Sequence, residues 1–390
     1  MKNNKGKNNK YRKSNRTVWF LSGVSGMFSA VAGLKFFEAS ENANGTYADF
    51  ILTFVIMIFA IYISMFIHII IHETGHLVFG LATGYRFSSF RIANIMLAKV
   101  DGKFCIKKHS VKGTAGQCLM APPEYVEGKI PYVMYNLGGV IFNIILSLIS
   151  LVLFFSLKPD SLFATALLLF FSSTGFALAF TNGFPVKNRF MINDGGNILG
   201  MKNNSEAIHA FYGQLKVYEA LSHGIRLKDM PDDYFRIPDD EKMKDGLMCA
   251  DGVFACLRMI DKHDFDSAEI LMDKLLNEEA GTVEIHRRQL ICNKIYFELI
   301  SDNNPEVIKN LIDKPQKSFM NSMRSDPSVM RTNYALAVLN EKNKEKAQKI
   351  RKEFEKREKT YAFSADMQSD RELIEIVDSR AKQMIYSDLR

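Results

Sequence analysis

Cysteine is scarce and never clustered: Cys105, Cys118, Cys249, Cys256 and Cys292 are odd in number and form no CxxC pair. That excludes a disulfide framework and a cysteine-built zinc module, and the five read as reduced, packed thiols. No nucleic-acid module is visible despite a net charge of +7. The Lys and Arg residues gather beside apolar runs, where membrane orientation accounts for them. Charge itself is missing from four stretches, Thr17–Leu34, Phe50–Ile71, Pro131–Leu157 and Ser161–Val186. As helices rising about 1.5 Å per residue, these are long enough to cross roughly 30 Å of hydrocarbon. No small-x-small cleavage pattern closes the first stretch, so it reads as a retained span rather than a signal peptide. Its Gly23, Gly26 and Gly33 read as helix-packing positions.

Charge outside these runs orients them. Lys2, Lys5, Lys7, Lys10, Arg12, Lys13 and Arg16 stand in the tail 1–16 with no acid among them, which places the N-terminus in the cytoplasm. The next connection carries Glu38, Glu41 and Asp49 and no base, as an outside loop should. Arg86, Arg91, Lys99, Lys103, Lys107, Lys108 and Lys112 then mark the return inside, Lys158-Pro159-Asp160 forms a short outer turn, and everything after Val186 is cytoplasmic. Between Tyr85 and Pro122 short alternating runs such as Phe90-Arg91-Ile92-Ala93-Asn94-Ile95 and Phe104-Cys105-Ile106, with an Asp101-Gly102 turn signal, predict a β-hairpin or three-stranded element at the membrane surface, or else an ordinary loop.

His72-Glu73-Thr74-Gly75-His76 follows the second apolar run. On a helix two histidines at i and i+4 share a face and reach one Zn²⁺, with the intervening Glu placed to act on an attacking water. A catalytic zinc commonly takes three protein ligands, so a third is needed. Among the acids up to Met201, Asp160 falls on the wrong side of the membrane and Asp101 in a turn tip; Asp194 follows the fourth span on the same side as the histidines. Gly195-Gly196 behind it permit close backbone approach before a helix expected from near Asn197. His68, four residues before His72, is either a third imidazole ligand or a polar residue lining a path for water.

With these residues in place, the chain resembles the site-2 protease family of intramembrane zinc metalloproteases over roughly residues 50 to 200. His72, Glu73 and His76 match the family's first motif. Gly138-Gly139-Val140-Ile141-Phe142-Asn143 is similar to its Gly-Gly-Pro-x-x-Asn element, with Val140 in place of Pro. Asn182, Pro185 and Asp194-Gly195-Gly196 are similar to its terminal motif, although the Asn182–Asp194 connection is longer and Asn193 stands where Leu is common. The resemblance implies Zn²⁺ held by His72, His76 and Asp194, with Glu73 as the catalytic residue that takes a proton from water and returns it to the leaving amine. Asn143 and Asn182 are candidates to hold the substrate backbone or the developing oxyanion, or alternatively to bond between helices. A strand from the Tyr85–Pro122 region would hold an unwound substrate extended.

From Asn203 onward the chain is charged and helical in period. A turn followed by a helix recurs at Lys262–Ala268, Ser301–Val307 and Glu341–Ala347, with Ala268, Val307 and Ala347 as anchors about forty residues apart, a spacing expected of stacked helical hairpins. The first copy looks like the second helix of a tetratricopeptide repeat. The expectation is therefore an all-α polytopic membrane protein of about four spans with a small β element, followed by a soluble α-helical hairpin-repeat domain. Its parts are a basic tail (1–16), a transmembrane metalloprotease domain (17–200) and a cytoplasmic helical domain (201–390). Both termini are expected on the cytoplasmic side, with the spans in a bacterial cell membrane. The expected partners are the bilayer, a membrane-spanning or membrane-associated protein or peptide cut near the cytoplasmic face, and a peptide or protein bound by the helical domain. The rival readings are an inactive membrane receptor or scaffold, and a transporter using His68, His72 and Glu73 as a proton relay.

Overall fold

The computed structural model describes residues 23–38, 46–100, 103–109, 114–186 and 192–388. The chain divides into two compact units: one takes the described residues up to Tyr85 together with Pro131–Asn203, the other Arg86–Ile130 and the residues from Asn204 onward. The sheet expected inside the membrane domain thus belongs with the C-terminal helices, for reasons given below. The basic tail, residues 17–22 of the first apolar stretch and the Asp101-Gly102 turn tip lie outside the described residues.

The first unit consists of α1 (23–38), α2 (Tyr47–Ala82), α3 (Tyr132–Leu157), α4 (Leu162–Gly183) and α5 (Asp194–Met201). Among the described residues three helices, α2, α3 and α4, are long and apolar enough to cross a membrane. α2 starts at a reciprocal capping box between Thr46 and Asp49. Its 36 residues carry it past Ile71 and through the histidine motif, which therefore lies inside a helix rather than at its end. The packing is inverted relative to a water-soluble bundle. The buried side of α2 carries Thr53, Ala60, Ser64, His68, His72, His76 and Gly80, and that of α3 carries Asn136, Gly138, Gly139, Asn143, Ser147 and Ser150, while Phe50, Leu52, Phe59, Phe66, Leu148, Val152 and Phe155 are exposed. Lipid makes no demand that large apolar groups be hidden, so small and polar residues fill helix contacts instead. Gly23, Gly26 and Gly33 do not serve as packing positions: a Cβ on any of them would meet open space. Close approach occurs at Gly75 and Gly138, where a Cβ on either would fall on the other's carbonyl.

The second unit opens with β1 (Arg86–Ile92), β2 (Ile95–Val100), β3 (Lys103–Lys108) and β4 (Gly116–Ala121), a four-stranded antiparallel sheet in the order β3-β2-β1-β4. The alternating run read as continuous over residues 90–95 breaks at Ala93, which takes φ +51 in the turn that pairs Ile92 with Ile95. Helices α6 (Ser205–Ser222), α7 (Gly246–Asp261), α8 (Phe265–Leu276), α9 (Glu284–Ile300), α10 (Pro305–Leu311), α11 (Lys314–Ser322), α12 (Pro327–Ala335), α13 (Lys344–Glu358) and α14 (Ser364–Asp388) follow. Met96 and Ala98 of β2 join the apolar core of these helices. Beside them Lys108 N donates to Thr360 O, and Arg86 pairs with Glu219 at 2.9 Å. These long-range contacts decide the sheet's allegiance, and no local pattern encodes them.

The recurring turn has a defined geometry. His263, Asn303 and Lys342 take φ of +61, +51 and +50, and each is followed by an N-cap, Asp264, Asn304 and Asn343. The residue four beyond each cap faces the core: Ala268 (0% exposed), Ile308 (4%) and Ala347 (6%), whereas Val307 is 37% exposed. The second anchor is therefore Ile308, one residue later than the sequence spacing suggests. We predict that Ile308→Ala costs about 2–5 kcal/mol through the cavity it leaves. Val307→Ala should stay below about 1 kcal/mol. Urea unfolding of the detergent-solubilised protein, followed by circular dichroism, measures both; equal effects would return the anchor to Val307.

Candidate metal centre

Histidines spaced by four along α2 form one buried row, and α3 fixes the lower part of it. The Gly75–Gly138 contact brings the α3 backbone close enough for His76 Nδ1 to reach Tyr135 O at 2.7 Å. A carbonyl only accepts, so Nδ1 carries the proton and the lone pair of the neutral ring lies at Nε2. This is the arrangement by which a backbone acceptor orients a metal-binding imidazole. His72 Nε2 lies 3.1 Å from His76 Nε2.

Asp194 comes from α5, which begins at that residue and not near Asn197. The reason is Asn193, an N-cap whose Oδ1 accepts from Gly196 N at 2.9 Å and from Val186 N at 2.8 Å. Its Nδ2 donates to Thr181 O and Phe184 O at 2.6 and 2.7 Å. One side chain thus ties the start of α5 to the end of α4 across the long connection, of which residues 187–191 lie outside the described residues. Sequence reasoning noted Asn193 only as a departure, although Asn immediately before a Gly-bearing helix start is an N-cap signal.

Asp194 Oδ2 stands 3.1 Å from His72 Nε2 and 3.5 Å from His76 Nε2. His72, His76 and Asp194 are the described group able to hold a metal ion, their ligand atoms lying within 4.8 Å of one another. The fit can be tested on the edges of this triangle. Ligands about 2.0–2.2 Å from a tetrahedral centre stand roughly 3.3–3.6 Å apart, and the edges here, without an ion, are 3.1, 3.1 and 3.5 Å. Asp194 Oδ2 is buried and, among the described residues, has no hydrogen-bond partner, the condition of a donor atom reserved for something else. Burial opposes ionisation of Asp194, but positive charge on the neighbouring His76 and His72 rings outweighs it and holds the carboxyl well below its ordinary range, and a cation in their place would act in the same direction. Two imidazoles and a carboxylate are a ligand set that suits Zn²⁺.

Glu73, the residue after His72, is buried at 8% exposure. Asn143, fully buried, lies behind His72: its Nδ2 is 3.3 Å from His72 Nδ1, on the side away from Asp194. Asn182 bonds back to its own helix, Nδ2 donating to Leu178 O at 2.9 Å. The structure thus brings Asn143 to the centre from the rear and leaves Asn182 occupied within α4. His68 is engaged elsewhere, between Asn143 Oδ1 at 3.1 Å and Phe171 O at 2.9 Å, and is no third imidazole ligand. No protein-family model, no curated protein and no solved structure matches this chain.

Removing one vertex of the triangle should empty it. Asp194→Ala is expected to lose most of the bound zinc in elemental analysis of the purified membrane protein, whereas Asp160→Ala, at an exposed position, should keep it. Full zinc content in Asp194→Ala would remove the aspartate from the centre.

Proposed function

We propose that this protein is an integral-membrane zinc endopeptidase that cuts a membrane-spanning or membrane-associated protein or peptide. One observation carries the reading: two histidines on α2 and an aspartate on α5 present their ligand atoms within 4.8 Å of one another, with Glu73 adjacent, inside a unit whose helices turn apolar faces outward. That outward surface of α2 and α3 far exceeds the apolar patches a water-soluble monomer tolerates, which supports residence in a bilayer. The charge distribution supports both termini on the cytoplasmic side.

A zinc ion in this site supplies Lewis-acid polarisation of the scissile carbonyl and lowers the pKa of a water to about 7. Glu73 accepts the proton of the attacking water at its carboxylate and delivers it to the nitrogen of the leaving amine. His76, held by Tyr135 O, keeps its ring from turning as charge develops. Burial of Glu73 and of both imidazoles limits water at the site to what the reaction consumes. A peptide bond within a helix is shielded by its own hydrogen bonds, so the substrate must unwind locally before it is cut. The recurring left-handed residue and N-cap of the second unit support a tetratricopeptide-like array, a scaffold whose grooves take up peptides, and we assign it the recruitment of substrate.

Glu73→Gln should retain zinc and lose about 10²–10⁴-fold in turnover. Quantitative proteomics of membrane fractions carrying wild-type or Glu73→Gln protein should show an uncleaved substrate accumulating with the variant. Undiminished cleavage by a zinc-loaded Glu73→Gln protein would end the proposal.

A further inference from the structure

Behind the metal triangle runs a buried chain of polar groups whose protons can be placed one by one. Phe171 O accepts from His68 Nε2 at 2.9 Å, so the hydrogen of a neutral His68 sits on Nε2 and Nδ1 is an acceptor. Nδ1 nevertheless faces Asn143 Oδ1 at 3.1 Å, acceptor against acceptor. On the other side Asn143 Nδ2 points at His72 Nδ1 at 3.3 Å; a donor there would leave the hydrogen of a neutral His72 on Nε2, the atom that a metal needs as a lone pair. Making His68 doubly protonated would cure only the first conflict, at the cost of a charge in a fully buried residue that bonds to a neutral amide and a carbonyl. A half-turn of the Asn143 carboxamide, which exchanges two groups of similar size, cures both.

We infer that in the metal-loaded protein Asn143 directs Nδ2 to His68 and Oδ1 to His72, so that the chain Phe171 O, His68, Asn143, His72 sets the tautomer of the ligand His72. The inference rests on the metal centre proposed above. Every proton then has one place: His68 Nε2–H donates to Phe171 O, Asn143 Nδ2–H to His68 Nδ1, and His72 Nδ1–H to Asn143 Oδ1, leaving His72 Nε2 free for the ion. The surroundings prevent the rings from answering the problem by rotating. A Cβ at Gly139 would lie 2.5 Å from His72 Cε1 and Nδ1, and one at Gly175 would fall on the His68 ring and on Ser147 Oγ, so both rings pack directly against helix backbone. His68 and Asn143 are positioning residues, neither of them a ligand.

Zinc affinity of the detergent-solubilised full chain, by competition with a chromogenic chelator, reads this directly. Asn143→Leu and His68→Leu should each weaken zinc about 10–100-fold, the loss typical of outer partners of ligating histidines, and His68→Gln should return to within about threefold of wild type. Glutamine is the discriminating variant, because its carbonyl accepts from Asn143 Nδ2 while its amide donates to Phe171 O, and the reverse orientation of Asn143 gives it no such match. The visible absorption of Co²⁺-loaded protein should change in the two leucine variants and not in His68→Gln. Leucine variants that bind zinc as tightly as wild type, or a glutamine variant as weak as leucine, would overturn the relay alone. Wild-type protein that takes up no zinc would overturn the metal centre and the relay with it, and cleavage by zinc-loaded Glu73→Gln would sink only the protease reading.

Discussion

The contact of α2 with α3 at Gly75 and Gly138 is the constraint on which the centre depends. Two helices this close must match registers, because any side chain at the crossing would hold them apart. Once they touch, His76, His72 and His68 climbing α2 by fours meet Tyr135, Gly139 and Asn143 descending α3 by fours, and each ring acquires a partner of a different kind. His76 meets a carbonyl, His72 meets bare backbone with an amide beyond it, and His68 meets that amide from its other side. A slip of one residue in this register would break these pairings and strand polar atoms of the imidazoles, a cost of several kcal/mol for each such atom in an apolar medium. Hydrogen-bond matching therefore fixes the register that the glycines make accessible.

Asp194 is brought beside the two histidines by a different device. α5 is too short to hold its place by propensity, and its first turn leans on backbone: a Cβ at Gly195 would fall on Gly183 O, and one at Gly196 on Val186 O. Asn193 closes the arrangement by using both hydrogens and both acceptor sites of its amide. Asp194 is thus aimed by its neighbour's hydrogen bonds, which explains how a connection longer than expected still places a carboxylate beside two imidazoles from a distant helix.

Much of this was legible in the sequence because it is local. The motif spacing put His72 and His76 on one helix face, charge counting and motif order singled out Asp194, and an even recurrence of turns announced the helical half. What was missed is pairwise. The αL residues His263, Asn303 and Lys342 and the caps that follow them fix where each helix starts, which puts the second anchor at Ile308 rather than Val307. The sheet gained a fourth strand and a different home because β4 pairs with β1 across some thirty intervening positions and β2 buries Met96 among helices that come more than a hundred residues later. Glycine count alone could not separate Gly23, Gly26 and Gly33, which face open space, from Gly139 and Gly175, which face rings. Asn143 was recognised as polar in an apolar span, but its side of the metal triangle is a matter of three-dimensional placement.

The two units show one chain folding by opposite rules. In the helical unit large apolar side chains such as Leu275, Leu290, Ile295 and Tyr296 are the buried ones, and burial drives assembly in the usual way. In the first unit the comparable apolar cluster is small, Ala32, Phe36, Ala60, Ala166, Leu169 and Phe170. It lies toward the opposite end of α2 from the histidines, since Ala60 precedes His72 by three helical turns, roughly 18 Å. The histidine end buries Tyr135, Val140, Val186 and Met201 and is tied further by hydrogen bonds and close backbone contact. An ion bound there would add to that packing, because metal affinity for a site that forms only in the folded chain is folding free energy. A metal held by His72, His76 and Asp194 would then also be a clasp that keeps α5 against α2.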